Sequence, residues 1–144
     1  MTPAPLVLVI AVDGSDASLR AVRHALRLAT EAPCELHLCN VQPALTYAET
    51  LLAGQSRLVD HWSGSPGHRL LAQATQAIEG AGRSAYVEVL HGDPAEQIAR
   101  QAREVRADMI LVGTRGHNAA AQVLLGSVAR QITEKAHCAV TVLR

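Results

Sequence analysis

The sequence contains no phenylalanine, and aromatic residues fill only 2% of its 144 positions. Base-stacking surfaces for nucleic acid need aromatic faces, so that class of partner is not expected. An excess of one charge is missing too. Thirteen Lys and Arg balance thirteen Asp and Glu, for a formal net charge of +0. Nothing here draws the chain onto DNA or an anionic membrane. Cysteine is scarce: Cys34, Cys39 and Cys138 are odd in number and form no C-x-x-C pair. Reduced, partly buried thiols are expected. Long hydrophobic runs are also absent. The run Leu6–Val12 ends at Asp13 and follows no basic segment. It is too short for a signal peptide or a membrane span, and a cytoplasmic protein is expected.

What is present is aliphatic. Hydrophobic residues make up 49% of the chain, so the core must be built from Ala, Val, Leu and Ile. The length suits a single domain, residues 1–144. "LVLVIAV" (Leu6–Val12) reads as a strand, and "DGSDAS" (Asp13–Ser18) as turn and cap chemistry. Leu19, Val22, Leu26 and Ala29 then recur at helical spacing, with Arg20, Arg23 and Arg27 on a solvated face. "ELHLCNV" (Glu35–Val41) alternates like a strand. A segment without periodicity, from Gln42 to about Gly67, holds Trp62, read as a cover for that segment.

Leu70 to Ala81 reads as a helix stopped by Gly80 and Gly82, and Ala85–Leu90 as a third strand. Pro94 stands near the start of the next helix. There Glu96 precedes Arg100 by four, a favourable pair, and Ile98, Ala102 and Val105 form the apolar stripe. "MILVG" is a fourth strand, Gly126 to Ala136 a further helix, and Ala139–Leu143 a fifth strand. Strands alternating with helices predict an α/β fold, a parallel doubly wound sheet covered on both faces. Such sheets bind ligands beyond the carboxyl ends of their strands, where the strand order reverses.

If the first and fourth strands are neighbours at that reversal, two turns line one crevice there. Asp13 follows the first strand, and "GTRGHNAAAQVLLGS" (Gly113–Ser127) follows the fourth. Glycine permits φ > 0 and close backbone approach. Gly113 and Gly116 would admit an anion, and Gly126-Ser127 would open a helix whose unpaired N–H groups and dipole favour phosphate. Asp13, across the crevice, would accept hydrogen bonds from ribose hydroxyls or hold a metal. The spacing is neither a Walker A loop nor G-x-G-x-x-G. A tight turn at Gly113 and Gly116, with Gly126 ending a short helix, is the structural alternative.

The stretches "VIAVDGSDAS", "HGDPAEQIARQA", "ADMILVGTRG" and "LLGSVARQITEKAHCAVTVLR" resemble the universal stress proteins over essentially the whole chain. The ATP-binding branch of that family carries glycine, two residues, glycine, nine residues, glycine, then serine or threonine. Gly113, Gly116, Gly126 and Ser127 match it. The resemblance implies a Rossmann-like sheet of five parallel strands in the order 3-2-1-4-5, and a homodimer through the fifth strand: Ala139, Val140, Thr141, Val142 and Leu143. It implies ATP, with Mg²⁺ or Mn²⁺, lying against Ala11, Val12, Asp13, Ser15, Val41, Val112, Gly113, Arg115, Gly116, His117, Gly126, Ser127 and Val128. Asp13 would hold the ribose, backbone near Val41 the adenine, and Gly126, Ser127 and Val128 the phosphates. One departure is His117-Asn118-Ala119-Ala120-Ala121, where the family has further glycines. The added Cβ atoms stiffen or crowd the loop.

The seven histidines show no metal-site spacing and read as surface residues. His117 would touch phosphate when protonated, or face water. Ser15 and Ser18 read as turn and helix caps. The reading that results is an ATP-binding regulator with an unidentified protein partner. A slow ATPase or a pyrophosphatase-like enzyme is the alternative in another class, and a nucleotide-free dimeric scaffold is a third. No Walker lysine or general base is evident, which argues against fast phosphoryl transfer.

Overall fold

The computed structural model describes residues 2–44, 66–114 and 125–144. Among these residues nine elements alternate between strand and helix: β1 (Leu6–Ala11), α1 (Asp16–Glu31), β2 (Cys34–Gln42), α2 (Pro66–Gly80), β3 (Tyr86–His91), α3 (Pro94–Glu104), β4 (Met109–Gly113), α4 (Ser127–Lys135) and β5 (Ala139–Leu143). All pairings are parallel, in the order β3-β2-β1-β4-β5. The central strand β1 is continuously apolar because both of its faces are covered.

Alternate residues divide the core in two. Leu8, Ile10, Leu36, Leu38 and Leu111 meet α1 and α2 on one face. Val9, Cys39, Ile110 and Val112 meet α3 and α4 on the other. β1 pairs with β2 on one side and β4 on the other, with Ala11 opposite Cys39 and Ile10 opposite Leu111. The chain leaves β1 at the reversal of strand order, so the turn after β1 and the turn after β4 border one gap.

Local chemistry sets the helix ends. Gly14 takes φ 82° between β1 and α1, a conformation glycine adopts without strain. Ser15 caps α1 by accepting from the Ser18 N–H. α2 ends in a Schellman motif: Arg83 N–H donates to the Ile78 carbonyl, Gly82 N–H to the Glu79 carbonyl, and Gly82 has φ 72°. Asp93 caps α3, with Pro94 in its first turn.

Two sequence expectations change. The buried stripe of α1 is Ala17, Ser18, Ala21, Val22, Ala25 and Ala29, while Leu19 and Leu26 are only half-buried. Small side chains let this helix lie close on the sheet, and that outweighs hydrophobicity alone. Arg100 pairs with Glu104 at 2.9 Å, and Glu96 instead faces Lys135 at 3.8 Å. Arg20, Arg23 and Arg27 are exposed. Arg20 also reaches the carbonyl of Arg144 through its Nε.

Candidate functional site

A crevice of about 410 Å³ opens at the carboxyl ends of β1, β2 and β4, within the range typical of small-molecule sites. Its walls are the turn after β1, the end of β2, the end of β4 and the first turns of α3 and α4. Ala11, Val12, Asp13, Ser15, Val41, Val112, Gly113, Gly126, Ser127 and Val128, ten of the expected residues, line it together. Arg115, Gly116 and His117 lie outside the described residues, as do His61 and Trp62.

The turn after β1 is held by its own polar groups. Asp13 Oδ1 accepts from the Ser15 N–H at 2.9 Å, and Ser15 Oγ accepts from the Ser18 N–H at 3.2 Å. Ser18 Oγ donates to the Ser15 carbonyl at 2.9 Å. Ser15 therefore acts as the cap, Ser18 tightens the same turn from inside α1, and both border the crevice. The Asp13 carboxylate is fixed by one oxygen at the crevice wall.

Gly113 has a packing reason that the sequence did not show. Its φ is not in the left-handed region. A Cβ there would stand 2.7 Å from Ala17 Cβ and 3.1 Å from Ala17 C and Ser18 N. Glycine at 113 lets the end of β4 touch the first turn of α1, which closes the crevice floor. Thr114, buried next to it, donates its N–H to the Leu143 carbonyl at 2.6 Å and accepts from the Gly126 N–H. Gly113, Gly126 and the last strand are thus tied together.

Gly126 is the N-cap of α4, in an extended conformation (φ −65°, ψ 158°) and without a side-chain cap. α1 and α3 are each capped by a side chain, Ser15 and Asp93. Among the described residues the first N–H groups of α4 have no such side-chain acceptor, and Gly126, Ser127, Val128 and Ala129 border the crevice. An anion is the complementary ligand for that end of a helix.

At the end of β2, Asn40 is buried. Its Nδ2 donates to the Val12 carbonyl at 2.7 Å, and its Oδ1 accepts from Gln42 Nε2. Sequence reading passed over Asn40, although it shares strand parity with Leu36 and Leu38 and so falls on their face. Ser18, Thr114, Pro94 and Ile98 also line the crevice and were not singled out for it. No local pattern marks them, because the packing of α1 and α3 brings them there.

The cysteines are free thiols. Burial, reinforced by the negative charge of Glu88, pushes the Cys39 thiol up to about 12. Burial also raises Cys34 and Cys138. Reactive thiolates are therefore disfavoured at neutral pH. His37 departs from the expectation of surface histidines. It is buried, bonds Glu35 at 2.6 Å and stacks on Tyr86 with centroids 4.7 Å apart. Among the described residues no group of three His, Cys, Asp or Glu is placed to hold a metal, and no helix is long and apolar enough to cross a membrane.

The family model for universal stress proteins matches residues 7–144. The chain belongs to that family. It is 33% identical, over 95% of its length and 81% of the relative's, to a universal stress protein of Methanocaldococcus jannaschii. A universal stress protein of Bacillus subtilis is 28% identical over 95% of this chain and 97% of its own. Solved universal stress proteins share the fold. One in complex with cAMP has a TM-score of 0.70 at 24% identity, covering 99% of this chain and 98% of that one. One from Archaeoglobus fulgidus in complex with dAMP has a TM-score of 0.66 at 22% identity, covering 100% of both chains. As a universal stress protein, the chain places ten of its thirteen expected site residues around one crevice.

Proposed function

We propose that this universal stress protein is a single-domain cytoplasmic regulator that binds ATP in the crevice. The observation that carries the reading is the N-terminus of α4, which has no side-chain cap and borders the same crevice as Asp13 and Val41. Gly126, Ser127 and Val128 hold the phosphates: the N–H groups of Ser127 and Val128 and the Ser127 hydroxyl donate to them, and Gly126, whose own N–H is bonded to Thr114, lets them come close. Asp13 accepts from the ribose hydroxyls. The backbone of Val41 meets the adenine edge, and Ala11, Val12 and Val112 form the apolar bed. Gly116, Arg115 and His117 lie outside the described residues and are assigned to the phosphate side from the Gly113/Gly116/Gly126-Ser127 spacing alone.

The cAMP and dAMP complexes of the two structural neighbours support an adenine nucleotide as the ligand class. The triphosphate is the finer part of the proposal, and it rests on the Gly113/Gly116/Gly126-Ser127 spacing. Mg²⁺ or Mn²⁺, when bound, neutralises phosphate charge. The donor set fits a metal held mainly by phosphate oxygens, with Asp13 as the one carboxylate bordering the crevice among the described residues. Among the described residues none is placed as a general base, and we expect hydrolysis far below the median enzyme rate of about 10 s⁻¹. Mass spectrometry of nucleotide released from the freshly purified protein tests the ligand class. Adenine nucleotide in stoichiometric amount supports it, and a guanine nucleotide or a different metabolite in that amount overturns it.

A further inference from the structure

The backbone of β2 alternates between its two neighbours. The Gln42 carbonyl faces β3 and accepts from the Gly92 N–H at 2.9 Å. The Cys39 carbonyl faces β1 and accepts from the Val12 N–H at 2.8 Å. Val41, two residues beyond Cys39, therefore turns both its N–H and its carbonyl to the β1 side. In an uninterrupted parallel ladder the next rung would run from the Val41 N–H to the Val12 carbonyl. That rung is absent from the backbone bonds of the described residues. The Val12 carbonyl accepts from Asn40 Nδ2 instead, at 2.7 Å.

We infer that Asn40 is a positioning residue that sets the base specificity of the crevice, an inference that rests on the nucleotide reading above. The Asn40 amide takes over the Val12 carbonyl and ends the β1–β2 ladder one rung early. The Val41 N–H and carbonyl then stand side by side at the crevice, a donor next to an acceptor. That pair is complementary to an adenine edge, where N1 accepts and the exocyclic amine donates. It is mismatched to hypoxanthine, where N1–H donates and the 6-oxygen accepts.

Asn40 is well fixed for this work. It is 3% exposed, and its Oδ1 is held by Gln42 Nε2. Gly67 of α2 packs on it so closely that a Cβ at that glycine would stand 3.0 Å from Asn40 Oδ1. A reversed amide would set Oδ1 against the Val12 carbonyl, acceptor against acceptor, so the orientation follows from the network. Asn40 makes no use of its side chain toward the ligand. It acts by leaving Val41 unpaired.

The test compares wild type with Asn40→Leu and Asn40→His, using AMP and IMP as probes. In wild type AMP binds more tightly than IMP. In Asn40→Leu the ladder closes its extra rung, AMP weakens about tenfold, and IMP changes less than twofold. Asn40→His keeps an N–H for the Val12 carbonyl and keeps the discrimination. Should Asn40→Leu not fold, Asn40→Asp, of the same shape without the donor, must show the same selective loss. Equal weakening of AMP and IMP, or unchanged discrimination, overturns the inference. Amide hydrogen exchange without nucleotide tests Asn40 separately from the binding reading. The Val41 N–H exchanges quickly in wild type and slowly in Asn40→Leu, whether or not nucleotide binds. A Val41 amide already protected in wild type overturns the role of Asn40 and leaves the binding reading standing.

Discussion

Single residues near the crevice carry distinct structural duties. Gly113 is required by contact: its absent Cβ makes room for Ala17 at 2.7 Å. Gly113→Ala should destabilise the fold by about 1–3 kcal/mol through overpacking, read from urea unfolding. An unchanged midpoint would contradict the close contact of β4 and α1. Cys39 gives a pH signature. Its thiol rises from 9.0 to about 12 on folding, through burial and then Glu88. The unfolded chain loses this proton first, so stability is fully present below pH 9 and falls as pH rises toward 12. The slope is at most about 1.4 kcal/mol per pH unit. Cys39→Ala lacks that slope, so its deficit relative to wild type should shrink above pH 9. A deficit constant with pH, by urea titration, would show that the thiol ionises alike in both states.

At the scale of elements, α4 is the helix whose beginning is open toward the crevice. Gly126→Asp would place a carboxylate at the N-cap, where it favours the helix by about 0.5 kcal/mol, and would repel phosphate. The expected result is a thermal midpoint at or above that of wild type with ATP binding lost. Intact binding would remove the α4 terminus from the site. The elements themselves were largely legible in the sequence. β4 and β5 were placed to the residue, since each apolar run is bounded by turn chemistry, and α4 was framed by its caps at Gly126 and Ala136. α1 was found, but its stripe was misjudged, because the sequence shows hydrophobicity and not how near a helix must come to the sheet. The same limit applies to Gly113, whose glycine spacing suggested ligand approach while its Cβ position answers to Ala17. Asn40 was illegible because its role depends on where β1 stops pairing, which only the three-dimensional register reveals.

For the whole molecule, the topology leaves β3 and β5 as the edge strands. β5 has no lysine or proline to protect its edge, which invites pairing with another chain. Val140 and Val142 are half-buried against the α3–α4 layer, and an isologous contact would bring each near its symmetry mate. We therefore expect a homodimer through Ala139–Leu143, and monomers from Val142→Asp, by sedimentation at micromolar protein. A wild-type monomer would rule out this interface. Thr114 joins this edge to the crevice, bonding Leu143 on one side and Gly126 on the other. All of this stands or falls with the ligand. Isothermal titration calorimetry with ATP, in the presence of Mg²⁺ or Mn²⁺, is the most direct test. One nucleotide bound per chain is the expected result, weakened when the metal is removed. The absence of any binding heat at millimolar ATP would contradict the account.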